Sequence, residues 1–419
     1  MKIKSSFGPS YKEFEIGEIV FLAQEKPLKL ISGAEIENFP LAYQTYGKLN
    51  ADKSNAVLIC HALTGDQYVA STNPVTKKEG WWNWMVGDGK IIDTKKFFVI
   101  ATNILGGCMG SFGPKAIDEK TGEPYGINFP VITIQDMVRA QNLLLEHLGI
   151  KKLHAVIGGS TGGMQALAWA TLFPHKVKLV IPLATSYRHS PQNIAFHEVG
   201  RQAIMADPNW CNSKYPLQKK FPASGLALAR MTAHITYLSE AALQKKFGRD
   251  LKNSNSPVAN QLSEKSEPLI YKGSSSLKMV RNGDLRQSPN RFSFSFDREF
   301  QVENYLHHQG SSFVERFDPN SYLYITRAVD YFDLESDCGK NLSDAFVEFA
   351  KNKEGKFCLI SFSDDWLFPP SEAKKLTHAL VACGINVSSV TIKSNAGHDS
   401  FLIENEALKN TISGFIGCS

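Results

Sequence analysis

The sequence predicts an α/β protein with a mainly parallel central sheet and helices on both faces of that sheet. Short, continuous runs of apolar residues recur along the chain, and each run has the length of a fully buried strand. Amphipathic helix patterns lie between these runs. Alternation of strand and helix favours parallel pairing, because the helices cross over between strands and cover the sheet.

The alternation occurs in two parts of the chain. Four strands are predicted in the first part and two in the last: 56–60, 97–101, 155–157, 177–181, 357–360 and 387–392. Four helices are predicted in the same parts: 134–148, 164–173, 371–380 and 406–416. Thr133 and Asp136 are placed as a capping pair at the start of the first helix. The second helix is almost wholly apolar, so we expect it to pack deep against the sheet.

The middle of the chain, 188–325, has a different composition. It contains more polar helix patterns, such as 226–237, and a stretch at 253–290 rich in Ser, Asn, Lys and Gly that we expect to be a flexible surface excursion. An insertion between the strands at 177–181 and 357–360 can cover the edge of the sheet where open α/β folds bind ligands. We therefore expect a first core segment at 1–187, a mainly helical lid at 188–325 and a second core segment at 326–419.

Composition argues against several classes of function. The 419 residues include 46 Lys and Arg against 41 Asp and Glu, and the net charge of +5 does not favour a nucleic-acid partner. No apolar run approaches the roughly 18 residues of a membrane span, and the polar N-terminus lacks the pattern of a secretory signal. The seven scattered cysteines form no C-x-x-C pair, so we expect reduced thiols and a cytoplasmic location.

The most informative motif is G-x-S-x-G, the nucleophile elbow, with Ser160 between Gly158 and Gly162. It follows a predicted strand and opens a predicted helix, which is the context that the motif requires. Such a serine lies on a tight, strained turn, where side chains two residues away would clash with the adjoining strand and helix. The helix N-terminus also favours the charge of an oxyanion. The pattern predicts a nucleophilic Ser160.

A serine nucleophile requires a base and an orienting acid, and after this elbow the chain order is acid, then histidine. His398 lies in a polar, glycine-containing loop after the last predicted strand, and it is the predicted base. The acid should follow the strand at 357–360, where Asp364 and Asp365 are adjacent. Spacing alone does not choose between these two carboxylates, and an aspartate in either position could instead have the turn or helix-cap role that is common for this residue type.

Other motifs indicate structural roles. His378 lies on a helix pattern, and the pair His307 and His308 has no partners at metal-ligand spacing. The glycine-rich stretch 106–113 matches neither a dinucleotide-binding fingerprint nor a phosphate-binding loop, and we expect it to form a tight turn near the site. No H-E-x-x-H pattern or other metal cluster is recognisable, so the sequence predicts no metal site.

Several segments together resemble the homoserine O-acetyltransferase family of acyltransferases. They are spread over nearly the whole chain, apart from the extreme N-terminus and 253–290. The segments are HALTG at 61–65, GWW at 80–82, NILGGC at 103–108, GGSTGGMQAL at 158–167, RQAI at 201–204, ARMTAHITYLS at 229–239, DWLF at 365–368 and GHDSFL at 397–402. The resemblance implies the α/β-hydrolase fold with a helical lid, and it implies a homodimer formed through that lid.

The resemblance also implies roles for individual residues. The family's acid lies two residues before the Leu-Phe of its D-x-L-F segment, which is Asp365 here, and His398 is its base. The family's oxyanion hole uses two backbone N–H groups, which correspond to those of Leu63 and Thr161. The family usually has Met at position 161, and a backbone donor is unaffected by that change, although the side chain beside the serine becomes smaller and more polar.

Three substrate-binding residues carry over from the family: Arg230, Tyr237 and Asp399. Judged by itself, Arg230 is typical of a charged residue on a solvated helix face. In the family context its role is chemically sensible, because homoserine is a zwitterion. A guanidinium can bind its carboxylate through two hydrogen bonds, and a carboxylate can meet its ammonium group.

The resemblance implies a two-step acetyl transfer from acetyl-CoA, a co-substrate, to L-homoserine in methionine biosynthesis, with no bound cofactor. Succinyl-CoA is the nearest competing donor. The succinyl-using relatives place Arg where this chain has Leu367, and an apolar residue there favours the acetyl donor. A serine esterase would carry the same elbow, and so would a non-enzymatic binding protein of this fold. The binding protein is disfavoured because serine, acid and histidine are all present.

Overall fold

Eight strands form the central sheet of the structure, a computed structural model that describes residues 17–251, 298, 300–339 and 341–417. In chain order the strands are β1 (Glu18–Leu22), β2 (Phe39–Tyr46), β3 (Ala56–Cys60), β4 (Phe98–Thr102), β5 (Leu153–Gly159), β6 (Val177–Leu183), β7 (Lys356–Phe362) and β8 (Asn386–Ile392). Their order across the sheet is β1-β2-β4-β3-β5-β6-β7-β8. Strands β3 to β8 pair in parallel, whereas β1 and β2 are antiparallel to their neighbours. The predicted mainly parallel sheet is confirmed.

The α-helices are α1 (Ile134–His147), α2 (Thr161–Leu172), α3 (Pro191–Ala206), α4 (Ala223–Tyr237), α5 (Glu240–Phe247), α6 (Gln301–Val314), α7 (Pro319–Asp330), α8 (Leu334–Cys338), α9 (Val347–Ala350), α10 (Pro370–Ala382) and α11 (Glu406–Gly417). Strands and helices alternate from α1 to β6 and again from β7 to α11. Short 3-10 helices lie at Gly126–Asn128, Pro208–Trp210, Leu342–Phe346 and Gly397–Leu402. The predicted capping pair is confirmed, since Thr133 and Asp136 form a reciprocal capping box at the start of α1.

The six predicted strands are present as β3 to β8. Strand β5 is longer than its apolar run indicates, because Gly158 and Gly159 continue the pairing with β6. Helix α2 begins three residues earlier than predicted, since the Ser160 carbonyl accepts the N–H groups of Gly163 and Met164 and so starts the helix. The strands β1 and β2 were not predicted. Strand β1 lies at the edge of the sheet and β2 lies next to it, and the mixed burial of both strands gives no continuous apolar run of the kind found in a fully buried strand.

The core lies on both faces of the sheet. Along β3, Leu58 and Cys60 belong to one apolar cluster, and Val57 and Ile59 belong to the cluster on the opposite face. All of β3 is buried, which explains why its sequence is a continuous apolar run. Helix α2 packs against β3, β5 and β6 and is buried over most of its length, as its apolar sequence predicted.

Helices α3 to α9 lie between β6 and β7 in the chain. Helix α4 packs against α3 and α6, and it also contacts the 3-10 helix Gly397–Leu402, which carries His398. Helix α7 crosses the lid boundary expected at 325, so the division of the chain at 187 and 325 remains a proposal. The predicted excursion at 253–290 lies outside the described residues. None of the helices within the described ranges combines the length and the apolarity needed to cross a bilayer.

Candidate active site

Ser160 lies at the sharp turn between β5 and α2. Its backbone has φ 58° and ψ −124°, a positive-φ conformation that a residue with a side chain adopts only under strain. The turn is held by hydrogen bonds on both sides. The Ser160 N–H donates to the Leu183 carbonyl at 2.9 Å, and the Thr185 hydroxyl donates to the Ser160 carbonyl at 2.8 Å. These contacts hold the strained conformation and direct the side chain away from the strand.

The glycines of the elbow leave no space for side chains. A Cβ atom on Gly162 would lie 2.1 Å from the Cys60 carbonyl oxygen, and one on Gly158 would lie 2.3 Å from the Gly162 carbonyl oxygen. A Cβ on Gly159 would lie 2.3 Å from the Phe401 ring. The predicted reason for the small residues is thereby confirmed, because β3, the elbow and α2 approach each other at backbone contact.

Ser160, His398 and Asp365 form a continuous chain of hydrogen bonds. His398 Nε2 lies 2.9 Å from Ser160 Oγ, and His398 Nδ1 lies 2.8 Å from Asp365 Oδ2. His398 and Asp365 are each 2% exposed, and Ser160 is 8% exposed. Because a carboxylate can only accept, His398 carries its proton on Nδ1, and its Nε2 is free to accept the serine proton. This is the geometry that serine activation requires.

The structure distinguishes the two adjacent carboxylates. The Asp365 Oδ1 atom accepts the backbone N–H groups of Leu367 at 3.0 Å and Phe368 at 2.9 Å, which fix the carboxylate toward His398. Asp364 instead accepts the Gly397 N–H at 3.0 Å. Asp364 therefore supports the loop that carries His398, while Asp365 contacts the imidazole itself.

The pKa of His398 is raised above its ordinary value. Burial alone would lower it, but the Asp365 carboxylate stabilises the imidazolium form through its charge and its hydrogen bond, and these effects outweigh burial. A raised pKa makes the histidine a stronger base toward the serine hydroxyl.

The backbone groups predicted for the oxyanion hole lie at the ends of two neighbouring elements. Leu63 is in loop 61–65, which follows β3, and Thr161 is the first residue of α2. The Gln165 side chain donates to the His61 carbonyl at 3.3 Å and so joins α2 to this loop. Neither the Leu63 nor the Thr161 N–H donates to a protein acceptor in the described part of the chain. Both groups are therefore available to an oxyanion, and that role remains a prediction.

The glycine-rich stretch 106–113 lies beside loop 61–65, as predicted. Gly107, Cys108 and Leu63 line the same small cavity. The stretch closes on itself through a hydrogen bond from the Gly106 N–H to the Phe112 carbonyl at 2.8 Å. Gly113 has to be glycine, because a Cβ there would lie 2.2 Å from the Gly107 carbonyl oxygen.

Arg230 and Tyr237 approach the triad from α4. The Arg230 guanidinium lies 4.8 Å from the Phe313 ring centre and 5.7 Å from that of Tyr237. It also donates to the Thr64 hydroxyl at 3.0 Å. The rings of Tyr237 and His398 are 5.9 Å apart. The guanidinium is half-buried between aromatic rings, and it does not lie on a solvated helix face as its sequence alone would indicate.

Asp399 is half-buried beside His398. Burial raises the pKa of its carboxyl, while the positive charges of His398 and Arg230 oppose that rise. Its carboxylate makes no hydrogen bond to the residues that the structure describes. The three residues predicted to bind substrate thus lie around one part of the triad, and their roles remain predictions.

Leu367 follows Asp365 in the same turn. Its carbonyl accepts the Asn193 side-chain amide at 3.0 Å, which ties the turn to α3. Leu367 lines a small pocket together with Tyr237, Tyr322 and His197. A longer residue at this position would therefore extend into a space that already contains polar groups.

One cluster of ionisable residues was missed by the sequence analysis. His189 and His197 lie 3.0 and 2.8 Å, through Nδ1, from Asp330 Oδ1, and Arg201 Nη1 lies 2.7 Å from Asp330 Oδ2. One potential metal-ligand atom from each of His189, His197 and Asp330 lies within 4.8 Å of the others. Both carboxylate oxygens are already occupied, so we interpret the group as a buried ion-pair cluster. Only the spacing of His197 and Arg201 on one face of α3 was a usable signal.

The remaining histidines considered above lie elsewhere. His378 is exposed on α10, and His307 and His308 lie half-buried on α6. Among the described histidines, His398 is the one that contacts Ser160.

Comparisons with known proteins agree with this site. Residues 55–404 match the sequence model of the alpha/beta hydrolase fold family. A homoserine O-acetyltransferase from Mesorhizobium japonicum is 52% identical over 393 residues, which cover 94% of this chain and 91% of that protein. The match covers nearly the full length of both proteins.

Two solved structures are also similar. The homoserine O-acetyltransferase from Bacillus anthracis has a TM-score of 0.77 and 27% identity, covering 95% of this chain and 96% of that chain. Esterase E22 has a TM-score of 0.76 and 27% identity, covering 95% of this chain and 99% of that chain. The chain belongs to the homoserine O-acetyltransferase family of proteins with the α/β-hydrolase fold.

Proposed function

We propose that this protein is a homoserine O-acetyltransferase, which moves an acetyl group from acetyl-CoA to the side-chain hydroxyl of L-homoserine through Ser160. The observation that carries the proposal is the hydrogen-bonded chain Ser160–His398–Asp365 in a protein whose relative of that name is 52% identical. The reaction would supply the acetylated intermediate of methionine biosynthesis.

In the first half-reaction His398 Nε2 takes the Ser160 proton while Oγ attacks the thioester carbonyl of acetyl-CoA. The N–H groups of Leu63 and Thr161 bind the oxyanion of the tetrahedral intermediate. The carbon–sulfur bond then breaks, His398 returns the proton to the departing thiolate, and the products are CoA and acetyl-Ser160. Asp365 stabilises the imidazolium in each of these steps.

In the second half-reaction the homoserine hydroxyl attacks acetyl-Ser160. His398 takes the hydroxyl proton and returns it to Ser160 Oγ, so that O-acetyl-L-homoserine leaves and the enzyme is restored. Arg230 binds the substrate carboxylate and Asp399 meets its ammonium group. The half-buried Arg230, 5.7 Å from the Tyr237 ring, supports this assignment, because an anion near a desolvated guanidinium is bound strongly.

The family resemblance at Leu367 favours acetyl over succinyl. Succinyl-CoA carries an additional carboxylate, which an apolar Leu367 would leave without a cation. The variant Leu367→Arg should gain activity with succinyl-CoA and lose activity with acetyl-CoA, whereas Leu367→Met should behave like the wild type. If the wild type already uses both donors equally, this position does not determine the donor.

A serine esterase is the second candidate, because esterase E22 has nearly the same TM-score as the acetyltransferase structure. The two functions differ in the acceptor of the acetyl group. With acetyl-CoA and L-homoserine present, nuclear magnetic resonance of the products should show O-acetyl-L-homoserine in excess over free acetate. Free acetate as the main product, at a rate that homoserine does not change, would identify an esterase instead.

The family resemblance also leads us to propose a homodimer formed through the lid helices. Val199 on α3 and Leu228 and Ile235 on α4 are apolar and exposed, which supports this surface. Light scattering of the purified protein should give twice the mass of one chain. The double variant Val199→Lys, Leu228→Lys should then give monomers, and an unchanged mass would place the interface elsewhere.

A further inference from the structure

Thr64 contacts two arginines with two different groups. Its hydroxyl accepts a hydrogen bond from Arg230 Nη1 at 3.0 Å, and its backbone carbonyl accepts one from Arg316 Nη1 at 2.9 Å. Thr64 is buried and directly follows Leu63, whose N–H is the predicted oxyanion donor. One residue therefore connects the predicted carboxylate-binding group to loop 61–65.

Aromatic rings alone do not fix the orientation of Arg230. The guanidinium faces the Phe313 ring at 4.8 Å, and Arg316 lies 5.1 Å from the same ring. Contact with a ring face fixes the distance of a guanidinium from the ring, but it leaves the direction of the N–H groups within the guanidinium plane weakly defined. A hydrogen bond to a fixed oxygen sets this direction. The Thr64 hydroxyl is such an oxygen, because Thr64 lies in a loop held by Arg316 and by the Gln165 contact to the His61 carbonyl.

We propose that Thr64 is a positioning residue for the acceptor substrate: its hydroxyl presents the Arg230 guanidinium in the orientation that binds the homoserine carboxylate. The inference rests on the function proposed above. A carboxylate binds an arginine best when two parallel N–H groups of the guanidinium face it. When Thr64 accepts one Nη1 hydrogen of Arg230, the remaining N–H groups of that guanidinium are directed toward the substrate. Orientation fixed in advance reduces the entropy lost on binding.

The effect of Thr64 is confined to the second half-reaction. Attack of Ser160 on acetyl-CoA requires Ser160, His398 and the N–H groups of Leu63 and Thr161, whereas the hydrogen bond that the Thr64 hydroxyl makes is to Arg230. The position of loop 61–65 depends on the Thr64 carbonyl, which accepts from Arg316 and is retained in any substitution. Removal of the hydroxyl alone should therefore weaken homoserine binding and leave formation of acetyl-Ser160 unchanged.

The pair Thr64→Val and Thr64→Ser tests this proposal. Valine has the shape of threonine without the hydroxyl, and serine keeps the hydroxyl without the methyl group. Three quantities are measured for each protein: the rate of acetyl-enzyme formation from acetyl-CoA, the rate of its hydrolysis without acceptor, and the KM for L-homoserine. For Thr64→Val we expect the KM for L-homoserine to be about tenfold higher, because one hydrogen bond to a charged group is lost. The rates of acetyl-enzyme formation and of its hydrolysis should stay within about twofold of wild type. Thr64→Ser should restore the KM.

Two results would overturn the proposal. One is an unchanged KM in Thr64→Val. The other is a loss of acetyl-enzyme formation and hydrolysis as large as the loss of transfer, since that would indicate a general structural role for Thr64. Failure of the proposed function is recognised separately, because the wild-type protein itself would then form no O-acetyl-L-homoserine.

Discussion

Asp365 holds His398 through one carboxylate oxygen and is itself held through the other. Its Oδ2 lies 2.8 Å from His398 Nδ1, while Oδ1 accepts the N–H groups of Leu367 and Phe368. The neighbouring Asp364 accepts the Gly397 N–H instead. Two adjacent residues of the same type thus make different contacts, and this difference can be tested by matched substitutions.

The variant Asp365→Asn should lower kcat by about 10³- to 10⁴-fold, because an amide can donate to His398 Nδ1 and so favours the wrong tautomer. Asp364→Asn is the matched control, since its amide oxygen can still accept the Gly397 N–H, and we expect less than about a threefold change. Steady-state acetyl transfer measures both. Equal losses in the two variants would contradict the assignment of Asp365.

The pH dependence of acylation should report the raised pKa of His398. Only neutral His398 can accept the Ser160 proton, so the rate should rise with pH as His398 loses its proton and become constant above its pKa. The midpoint of that rise should lie above the ordinary histidine value of 6.5, because the Asp365 carboxylate outweighs burial. In Asp365→Asn the remaining activity should have a lower midpoint. A wild-type midpoint at or below 6.5, in single-turnover acetylation between pH 5 and pH 9, would contradict this account.

Gly162 should tolerate no side chain. In Gly162→Ala the new Cβ would lie 2.1 Å from the Cys60 carbonyl oxygen, so α2 and β3 must separate, at about 1–3 kcal/mol of unfolding free energy. The same shift moves the Thr161 N–H away from loop 61–65, so activity should fall as well. Gly414→Ala on α11 is the control, since among the described residues no atom outside the neighbouring backbone of α11 lies within 4 Å of its Cβ, and it should stabilise the protein by about 0.5–1 kcal/mol. Chemical unfolding of both variants measures the difference, and equal effects would be inconsistent with the packing described.

The buried cluster around Asp330 should contribute to stability. Asp330→Asn would remove the buried carboxylate that pairs with the Arg201 guanidinium, whose side chain is 4% exposed, and would leave that guanidinium paired with the partly exposed Glu198. We expect a loss of about 1–3 kcal/mol in unfolding free energy. Glu348→Gln removes a charge from an ion pair whose side chains are both 60% exposed, and it should change stability by less than about 0.5 kcal/mol. If the two variants unfold alike in urea, the cluster is not a stabilising element.

The same cluster has a defined pH dependence. Burial by itself raises the pKa of Asp330, but hydrogen bonds from His189 and His197 and the charge of Arg201 outweigh it and hold the pKa well below its usual range. A carboxyl with a lowered pKa in the folded state stabilises the protein above its unfolded pKa, and that contribution is lost as pH falls. The stability difference between wild type and Asp330→Asn should therefore shrink in acid. A difference that stays constant down to pH 2 would contradict this explanation.

The parts of the fold found from the sequence are those with a local signal. Strand β3 is buried on both faces, so its apolar run identifies it, and the elbow around Ser160 is marked by glycines that packing requires. His398 is likewise identified as the base by its place in the polar loop that follows the last predicted strand. These features depend on residues close together in the chain.

The features missed depend on residues far apart. Strand β1 at the edge of the sheet and its neighbour β2 are buried only in part, so neither has a continuous apolar pattern. The Asp330 cluster joins α3 to the end of α7, and Arg201 and Asp330 are 129 residues apart in the chain. No sequence spacing therefore predicts this cluster. The choice between Asp364 and Asp365 also required three-dimensional information or a family resemblance, because two adjacent aspartates in a turn carry no local signal that distinguishes their contacts.

The central claim is that Ser160 carries the acetyl group between the two substrates. The most direct measurement is the intact mass of the protein after mixing with acetyl-CoA in the absence of homoserine, followed by peptide mapping and by addition of L-homoserine. The account predicts a gain of one acetyl group on Ser160, its absence in Ser160→Ala, and its quantitative transfer to homoserine. An unmodified Ser160 in a wild-type protein that forms O-acetyl-L-homoserine at full rate would contradict it.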